Sequence, residues 1–411
     1  GTQFGNLVAA YQRKYGDLVV RTELTVDDLL ALYVDFHSKV EHDPELKVEG
    51  QAMFRRLESG DVEVRALWQR FVNLSLIQFE ALYRRLGITF DDVRAGESRY
   101  HPMVAALIEQ AERSQVAVES QGALVVPIPG ESVPLILRKS DGSTIYATRD
   151  LAAITYRVRE YHPDQILYVV ANEQALHFRQ VFAAARLLKL LPDKTRLEHV
   201  KFGLVRTAEG KMSTRKGTVV GLEPILDEAV SRATALLETR ALELSGQERQ
   251  QTIEALALGA LKYFDLSHDR NHDVVFDWER MLSTKGDSAP YLQYSYVRAN
   301  NILLKSEHPE EVLSSQENPE VLTVVGRYTP ILRSLAQYPV VVAQAASQCA
   351  PHVLAQYLAQ LATIFHSFYE QYPVLTSVGV ERSIRLAIVR SFRVVLKSGL
   401  SLLGIAVVDV M

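Results

Sequence analysis

The run Gln165–Ala171, QILYVVA, constrains the fold of this chain more than any other segment. It is nearly continuous in apolar residues, without the alternation of a half-solvated strand. Such runs belong to parallel sheets covered on both faces. A helix is read after it, from about Ala175 to Leu191, and a strand from about Val200 to Val205. Before it, Ile145 to Thr148 reads as a short strand and Arg149 to Tyr161 as a helix. Strand, helix, strand, helix, strand is the order of a doubly wound α/β sheet, which binds ligands beyond the carboxyl ends of its strands.

Around this unit the chain is mostly helical. Val62 to Leu86 is amphipathic, with Leu67, Phe71, Leu74, Gln78 and Leu82 near one face, and Gly87 as its stop. Pro102 opens a helix from Met103 to Arg113. Val116–Val118, Leu124–Ile128 and Val133–Leu137 are β-rich runs, and Ser140-Asp141-Gly142-Ser143 reads as a hairpin turn. From Glu223 to Met411 the pattern is helical again, with a break at 283–288 (STKGDS). Helices are expected there at about 289–305, 320–337, 352–372 and 380–400.

Composition narrows the class. The chain has 411 residues, 47% of them hydrophobic, with a net charge of -4. A core of two or three domains is expected, and no global field draws nucleic acid, so RNA contacts must come from local basic patches. The single cysteine, Cys349, rules out internal disulfides and cysteine-rich zinc sites and reads as a buried cytosolic thiol. No apolar run spans a bilayer, and Leu400–Val408 is broken by Ser401 and Gly404. A cytoplasmic protein away from membranes is expected. His268 and His272 stand four apart without a third ligand, so no metal site is expected; Asp269, Arg270 and Asp273 suggest instead a charged link between domains.

The strongest local signal is Lys211-Met212-Ser213-Thr214-Arg215-Lys216-Gly217. Three cations fall on a loop after a buried strand. That is either an ordinary solvated basic turn or a cationic flap at the sheet edge, where polyphosphate needs mobile positive charge.

This stretch resembles the KMSKS loop of class I aminoacyl-tRNA synthetases, in the wording of the arginyl-tRNA synthetases. GTQFG at the start, HVKFGLV (199–205), YATRD (146–150), NEQALH (172–177), LKYFDLSHDRNHDVVFDWERML (261–282) and APYLQYSYVRANNILLK (289–305) also resemble the arginyl-tRNA synthetase family at their own positions. The resemblance covers essentially the whole chain. It implies a Rossmann-like class I catalytic domain over 1–222 with a helical insertion at about 20–115. A helical connecting region over 223–288 and an all-α, DALR-type anticodon-binding domain over 289–411 follow. The implied activity is arginine–tRNA ligation: L-arginine and ATP, with Mg²⁺, form arginyl-adenylate, and the arginyl group passes to tRNA(Arg). No other cofactor is implied, and a monomer is expected. Catalysis is mostly positioning and charge stabilisation. The resemblance gives the phosphates to Lys211, Arg215 and Lys216, and ATP contacts to His177, Val205, Lys211, Met212 and Ser213. Tyr146, Asp150 and Gln174 form part of the arginine pocket. The chemistry agrees: a carboxylate takes a guanidinium in two parallel hydrogen bonds, which lysine does not reproduce, and a tyrosine lies along the guanidinium.

Two departures stand out. The family's HIGH motif, expected upstream of GTQFG, is absent from these residues, and the chain opens without an initiator methionine. It reads as a fragment, inactive alone. Thr214 stands where KMSKS has its second lysine. Two alternatives stay open: a non-catalytic arginyl-tRNA synthetase-like protein that holds tRNA, and a class I synthetase for another amino acid, against which the Tyr146–Asp150 pair argues.

The terminal bundle offers the RNA surface. On a helical wheel of 380–400, Arg382, Arg385, Arg390, Arg393 and Lys397 share one arc. Ile384, Ala387, Ile388, Phe392, Val394 and Val395 lie roughly opposite, while Leu386 and Val389 intrude on the basic side. Such an arc holds phosphates or is an ordinary solvated face. Tyr291, Tyr294 and Arg298, with Tyr296, supply stacking and a cation for unpaired anticodon bases, or belong to the core.

Overall fold

The computed structural model describes residues 2–40, 42–93, 96–206, 221–238, 244–306 and 324–411. Four helices open the chain: α1 (Thr2–Tyr15), α2 (Val26–Val40), α3 (Pro44–Glu58) and α4 (Val62–Leu86). They share a core of Val8, Tyr11, Leu29, Phe36, Leu67 and Phe71. The GTQFG glycine has a packing reason: a Cβ on Gly5 would stand 2.2 Å from the Gly50 carbonyl oxygen, so α1 and α3 touch backbone to backbone. Helix α4 has the expected bounds. Asp61 caps its first turn by accepting from the amides of Glu63 and Val64, and Gly87 ends it at φ 66°. Its apolar stripe is buried only from Val64 to Phe71; farther on, Ile77 is 63% exposed and Leu82 half-buried.

Helix α5 (Val104–Arg113) packs on the next unit, where β1 (Val118–Ser120), β2 (Ala123–Val126) and β3 (Leu135–Arg138) form an antiparallel sheet. The turn after β3 is a hairpin turn, with Gly142 at φ 82° and the Lys139 amide donating to the Ser143 carbonyl. The return strand expected at Ile145–Thr148 does not form. One bridge, Arg138 to Thr144, closes the hairpin, and α6 runs from Tyr146 to Tyr161 with Ile145 as its N-cap. Helical spacing wins because Ala147, Thr148, Leu151 and Ala152 all bury on one face. The buried Thr148 hydroxyl also donates to the Leu137 carbonyl at 2.6 Å, locking the first turn to β3.

Strand β4 (Gln165–Ala171) pairs in parallel with β5 (Arg196–Phe202), and α7 (Ala175–Leu187) connects them. Leu151 and Ile154 of α6 and Phe178 and Val181 of α7 cover one face. The other face is not covered as expected: Leu167 is 46% and Val169 66% exposed. It borders a cleft of about 780 Å³ whose far wall includes Val342, Ala346 and Leu354. The expected single strand to Val205 breaks at Gly203. There a Cβ would meet the His272 carbonyl oxygen at 2.2 Å, and the chain resumes as β6 (Val205–Arg206), parallel to β7 (Val274–Val275).

Helices α8 (Leu222–Glu238) and α9 (Gly246–Ser267, with a Ser245–Glu248 capping box) lead through α10 (Trp278–Met281) to the bundle. Ser288 caps α11 (Ala289–Leu304). Then come α12 (Thr329–Ala336), α13 (Tyr338–Ser347), α14 (Pro351–Gln371) and α15 (Gly379–Leu402). The expected helix at about 320–337 is represented by α12, and 320–323 lie outside the described residues. Helix α13 was not anticipated; Pro339 sits in its first turn and separates it from α12. Phe365 and Phe392, both fully buried, stack at 3.8 Å between ring centres at the heart of the bundle. Cys349 is half-buried, in a left-handed turn after α13. Among the described residues no helix is long and apolar enough to cross a membrane.

Candidate active site and RNA surface

The carboxyl end of β4 runs into a 3-10 turn, Asn172–Gln174, and then directly into α7. This delivers Gln174 and His177 to the rim of the sheet. Helix α6 supplies the rest. Tyr146 and Asp150 are one turn apart on its opening, so they share a face of one helix rather than spanning a strand-to-helix turn. Asp150 does not point into the core. Its Oδ2 lies 2.7 Å from His177 Nε2, and the two side chains are 30% and 26% exposed. A carboxylate only accepts, so His177 carries its hydrogen on Nε2. The His177 ring packs edge-on against Phe178, and Phe178 against His199, whose Nε2 donates to the Val170 carbonyl. Tyr146 and Gln174 are exposed. The rim thus carries an anchored carboxylate, with the exposed Tyr146 one turn before it on α6 and the exposed Gln174 at the start of α7, residue types that suit a planar cation.

Neighbouring contacts brace the rim. Arg149, only 14% exposed, reaches Glu58 at 3.4 Å and ties α6 to α3. The Asn172 amide donates to the Asn271 carbonyl. The expected charged link, Asp269 to Asp273, joins the sheet to the bundle. Arg270 donates to the carbonyls of Lys201 (2.8 Å) and Cys349 (2.9 Å), and Asp273 accepts from the Leu204 amide (2.7 Å) and pairs with Arg206. Val205 follows on β6 and lines the cleft. Lys211, Met212, Ser213, Arg215 and Lys216 lie outside the described residues. No group of three or more metal-ligating side chains occurs among the described residues.

In the bundle, Tyr294 and Arg298 line a second cavity of about 180 Å³ with Asn301, Lys305, Tyr369 and Met411. The Arg298 guanidinium lies over the rings of Tyr294 (5.4 Å) and Tyr369 (5.1 Å). Tyr291 packs partly buried against the core, and Tyr296 is buried in it. The wheel of α15 is rotated from its expected setting: Leu386 and Val389 are buried, whereas Ala387 and Val394 are exposed. Arg385 turns inward, donating to the Tyr328 hydroxyl, the Pro373 carbonyl and Glu381, and is 11% exposed. Arg393 donates to Asn300, while Arg390 and Lys397 face solvent and Arg382 is half-buried. The Met411 and Tyr369 contributions have no signal in sequence spacing; only the tertiary fold brings them to Tyr294.

The structure is thus a parallel α/β unit with a polar rim at the carboxyl ends of its strands, followed by a helical bundle, and the family it matches is that of the class I tRNA synthetases. Residues 1–278 match the family of tRNA synthetases class I (R), catalytic domain, and residues 292–411 match the DALR anticodon binding domain. The arginine–tRNA ligase of Clostridium perfringens is 39% identical over the whole of this chain, which spans 72% of that protein. That of Chloroflexus aggregans is 40% identical over 98% of this chain and 70% of its own length. The crystal structure of Plasmodium falciparum arginyl-tRNA synthetase superposes with a TM-score of 0.81 at 25% identity, over all of this chain and 68% of that one. The Thermus thermophilus arginyl-tRNA synthetase has a TM-score of 0.75 and shares the fold at 24% identity, over all of this chain and 74% of its own. The chain belongs to the arginyl-tRNA synthetase family, a family of class I ligases. Nothing among these relatives favours a non-catalytic tRNA-binding protein.

Proposed function

We propose that this chain works in the ATP-dependent attachment of L-arginine to tRNA(Arg), in the cytoplasm and as a monomer. The observation that carries the reading is the half-exposed Asp150, held by His177 one turn beyond Tyr146. Arginine's guanidinium lies against the Asp150 carboxylate, with Tyr146 along its face and Gln174 as a further polar contact. His177 fixes the carboxylate from the nucleotide side. Lys211, Arg215 and Lys216 take the triphosphate, with Met212, Ser213 and Val205 along the nucleotide. Mg²⁺ arrives with ATP, since phosphate oxygens bind it with few protein ligands. Arginine's carboxylate attacks the α-phosphate and pyrophosphate leaves; the terminal ribose hydroxyl of the tRNA then attacks the arginyl carbonyl of the adenylate, and AMP leaves as the ester forms.

At the other end, an unstacked anticodon base enters the 180 Å³ cavity between Tyr294 and Arg298. Tyr291 supports this site from the core side. The phosphates run along Arg382, Arg393 and Lys397, with Arg390 beside them. Arg385 is left out because its guanidinium is committed inside the bundle.

Calorimetric titration of the chain with arginine and with lysine tests the pocket, alongside arginylation of tRNA(Arg) transcripts. Arginine is expected to bind and lysine not, and Asp150→Asn to remove arginine binding. Equal binding of the two amino acids, or undiminished binding by Asp150→Asn, would refute it.

A further inference from the structure

The cavity at Tyr294 and Arg298 is braced from behind by a residue with no role so far. His366, on α14, faces α11 with both ring nitrogens engaged. Nδ1 lies 3.0 Å from Arg298 NH1, and Nε2 lies 2.8 Å from the Ser295 hydroxyl. Arginine always donates, so Nδ1 is the acceptor and Nε2 carries the hydrogen. Ser295, fully buried, passes its own hydrogen to the Tyr291 carbonyl at 2.8 Å. The relay runs one way, from Arg298 through His366 and Ser295 to the α11 backbone, and has one hydrogen per link. The His366 ring also stacks on Tyr294 (6.3 Å, 10° between planes) and lies against Tyr291 (5.3 Å). Thus one imidazole touches both the cation and the aromatic of the proposed base site.

We propose that His366 is a positioning residue for RNA recognition: as a neutral acceptor it fixes the Arg298 guanidinium against Tyr294 and Tyr369, so that the base cavity is formed before RNA arrives. This rests on the reading of Tyr294 and Arg298 as an anticodon-base site. A long arginine otherwise loses rotamer freedom on binding, and prior fixation removes that cost. The ring is suited to the role. Burial, and then Arg298 itself, push His366 below the usual histidine range, while Glu370 on the same helix pulls weakly the other way. Tyr291, Tyr294 and Ser295 on α11 and Tyr369 on α14 are the other polar groups around it. Protonation would remove the Nδ1 acceptor that meets Arg298 and set two cations 3.0 Å apart.

The test measures Kd for a tRNA(Arg) transcript and for transcripts with single anticodon-base replacements, using wild type, Arg298→Ala, His366→Leu and His366→Gln. His366→Leu should weaken the cognate transcript about tenfold, the cost of losing a hydrogen bond to a charged group, and should narrow the gap to the replaced transcripts. His366→Gln, whose Oε1 accepts from Arg298, should stay within about threefold of wild type. As pH is lowered below the usual histidine range, to where His366 itself takes up a proton (followed by its imidazole NMR signal), the preference for the cognate transcript should fall in wild type and stay flat in His366→Gln. Thermal melting of each variant separates folding from recognition; if His366→Leu melts early, the pH comparison of wild type with His366→Gln decides. Unchanged binding by Arg298→Ala would sink the base-site reading itself. A weakened Arg298→Ala beside a wild-type-like His366→Leu, or equal pH profiles in wild type and His366→Gln, would overturn only the positioning role.

Discussion

His177 Nε2 and Asp150 Oδ2 meet at 2.7 Å although 27 positions separate them, because α6 and α7 open side by side at the rim of the parallel strands. The hydrogen bond holds the Asp150 side chain in place while leaving it partly open to solvent. If the pair acts as one unit on arginine, His177→Ala should raise the KM for arginine about tenfold, and Asp150→Asn by roughly 10–100-fold, as hydrogen bonds to charged groups are lost. The double variant should be no worse than Asp150→Asn alone. A double-mutant cycle on arginylation kinetics reads this coupling, and simple additivity would show that the two residues act apart.

The Arg270 guanidinium bridges the sheet unit and the bundle, beside the Asn172–Asn271 and Leu204–Asp273 hydrogen bonds of the same link. It donates to Lys201 at the end of β5 and to Cys349 in the turn after α13. Arg270→Ala leaves these carbonyls unmet and should destabilise the junction by about 2 kcal/mol. Arg270→Lys should recover little, since an ammonium lacks the planar fork that serves two separated acceptors. Urea unfolding should change from one transition toward two, the sheet unit and the bundle parting first. A single unshifted transition in Arg270→Ala would contradict this.

Much of the frame was legible in the residues. Gly87 and the apolar positions from Val62 to Leu86 give α4 its bounds, because a stop signal and periodicity are local, and the structure adds the Asp61 cap at its start. The parallel pairing of β4 and β5 follows from two apolar runs separated by a helix. The failures share a cause. Ile145–Thr148 is β-branched at both ends and reads as a strand, yet the buried Thr148 hydroxyl finds the Leu137 carbonyl eleven residues back, a contact that only folding reveals. The arc of α15 shifted because Arg385 is drawn inward by Glu381 and Tyr328, and no wheel knows which cation a neighbouring helix will claim. Of the proposed site, Tyr146, Asp150, Gln174 and His177 were nameable from motif wording. The hydrogen bond between Asp150 and His177 was not.

Alkaline titration should expose the core behind the rim. Tyr168 on β4 is buried against Phe178 and Phe182, and burial pushes its hydroxyl up to about 12 although Arg157 hydrogen-bonds to it. The unfolded chain ionises this tyrosine near pH 10. Between pH 10 and 12 the unfolded state therefore holds fewer protons than the folded one, and stability falls as pH rises through that window. Unfolding midpoints followed at 295 nm from pH 9 to 12 should drop less steeply in Tyr168→Phe than in wild type. Equal slopes would mean that other groups govern alkaline unfolding.

The last prediction concerns Gly203, where the chain passes from β5 to β6. Its amide donates to the Arg270 carbonyl at 2.7 Å, and the next residue, Leu204, donates to Asp273. A Cβ placed on Gly203 would fall 2.2 Å from the His272 carbonyl oxygen and 2.7 Å from the Asp273 amide nitrogen. Both obstacles are backbone, so no side chain can swing away; the 270–273 link or the strand itself must move. Gly203→Ala should therefore cost about 1–3 kcal/mol, the range for overpacking a tight site. It should also open the β6–β7 pairing, which begins two residues later at Val205 and Val274. Hydrogen exchange would show it: the amides of Val274 and Phe276, which donate to Leu204 and Arg206, should lose protection while those of β4 keep theirs. Uniform protection across both sets, with an unshifted melting point, would mean that the link yields freely and that the glycine is not required by contact.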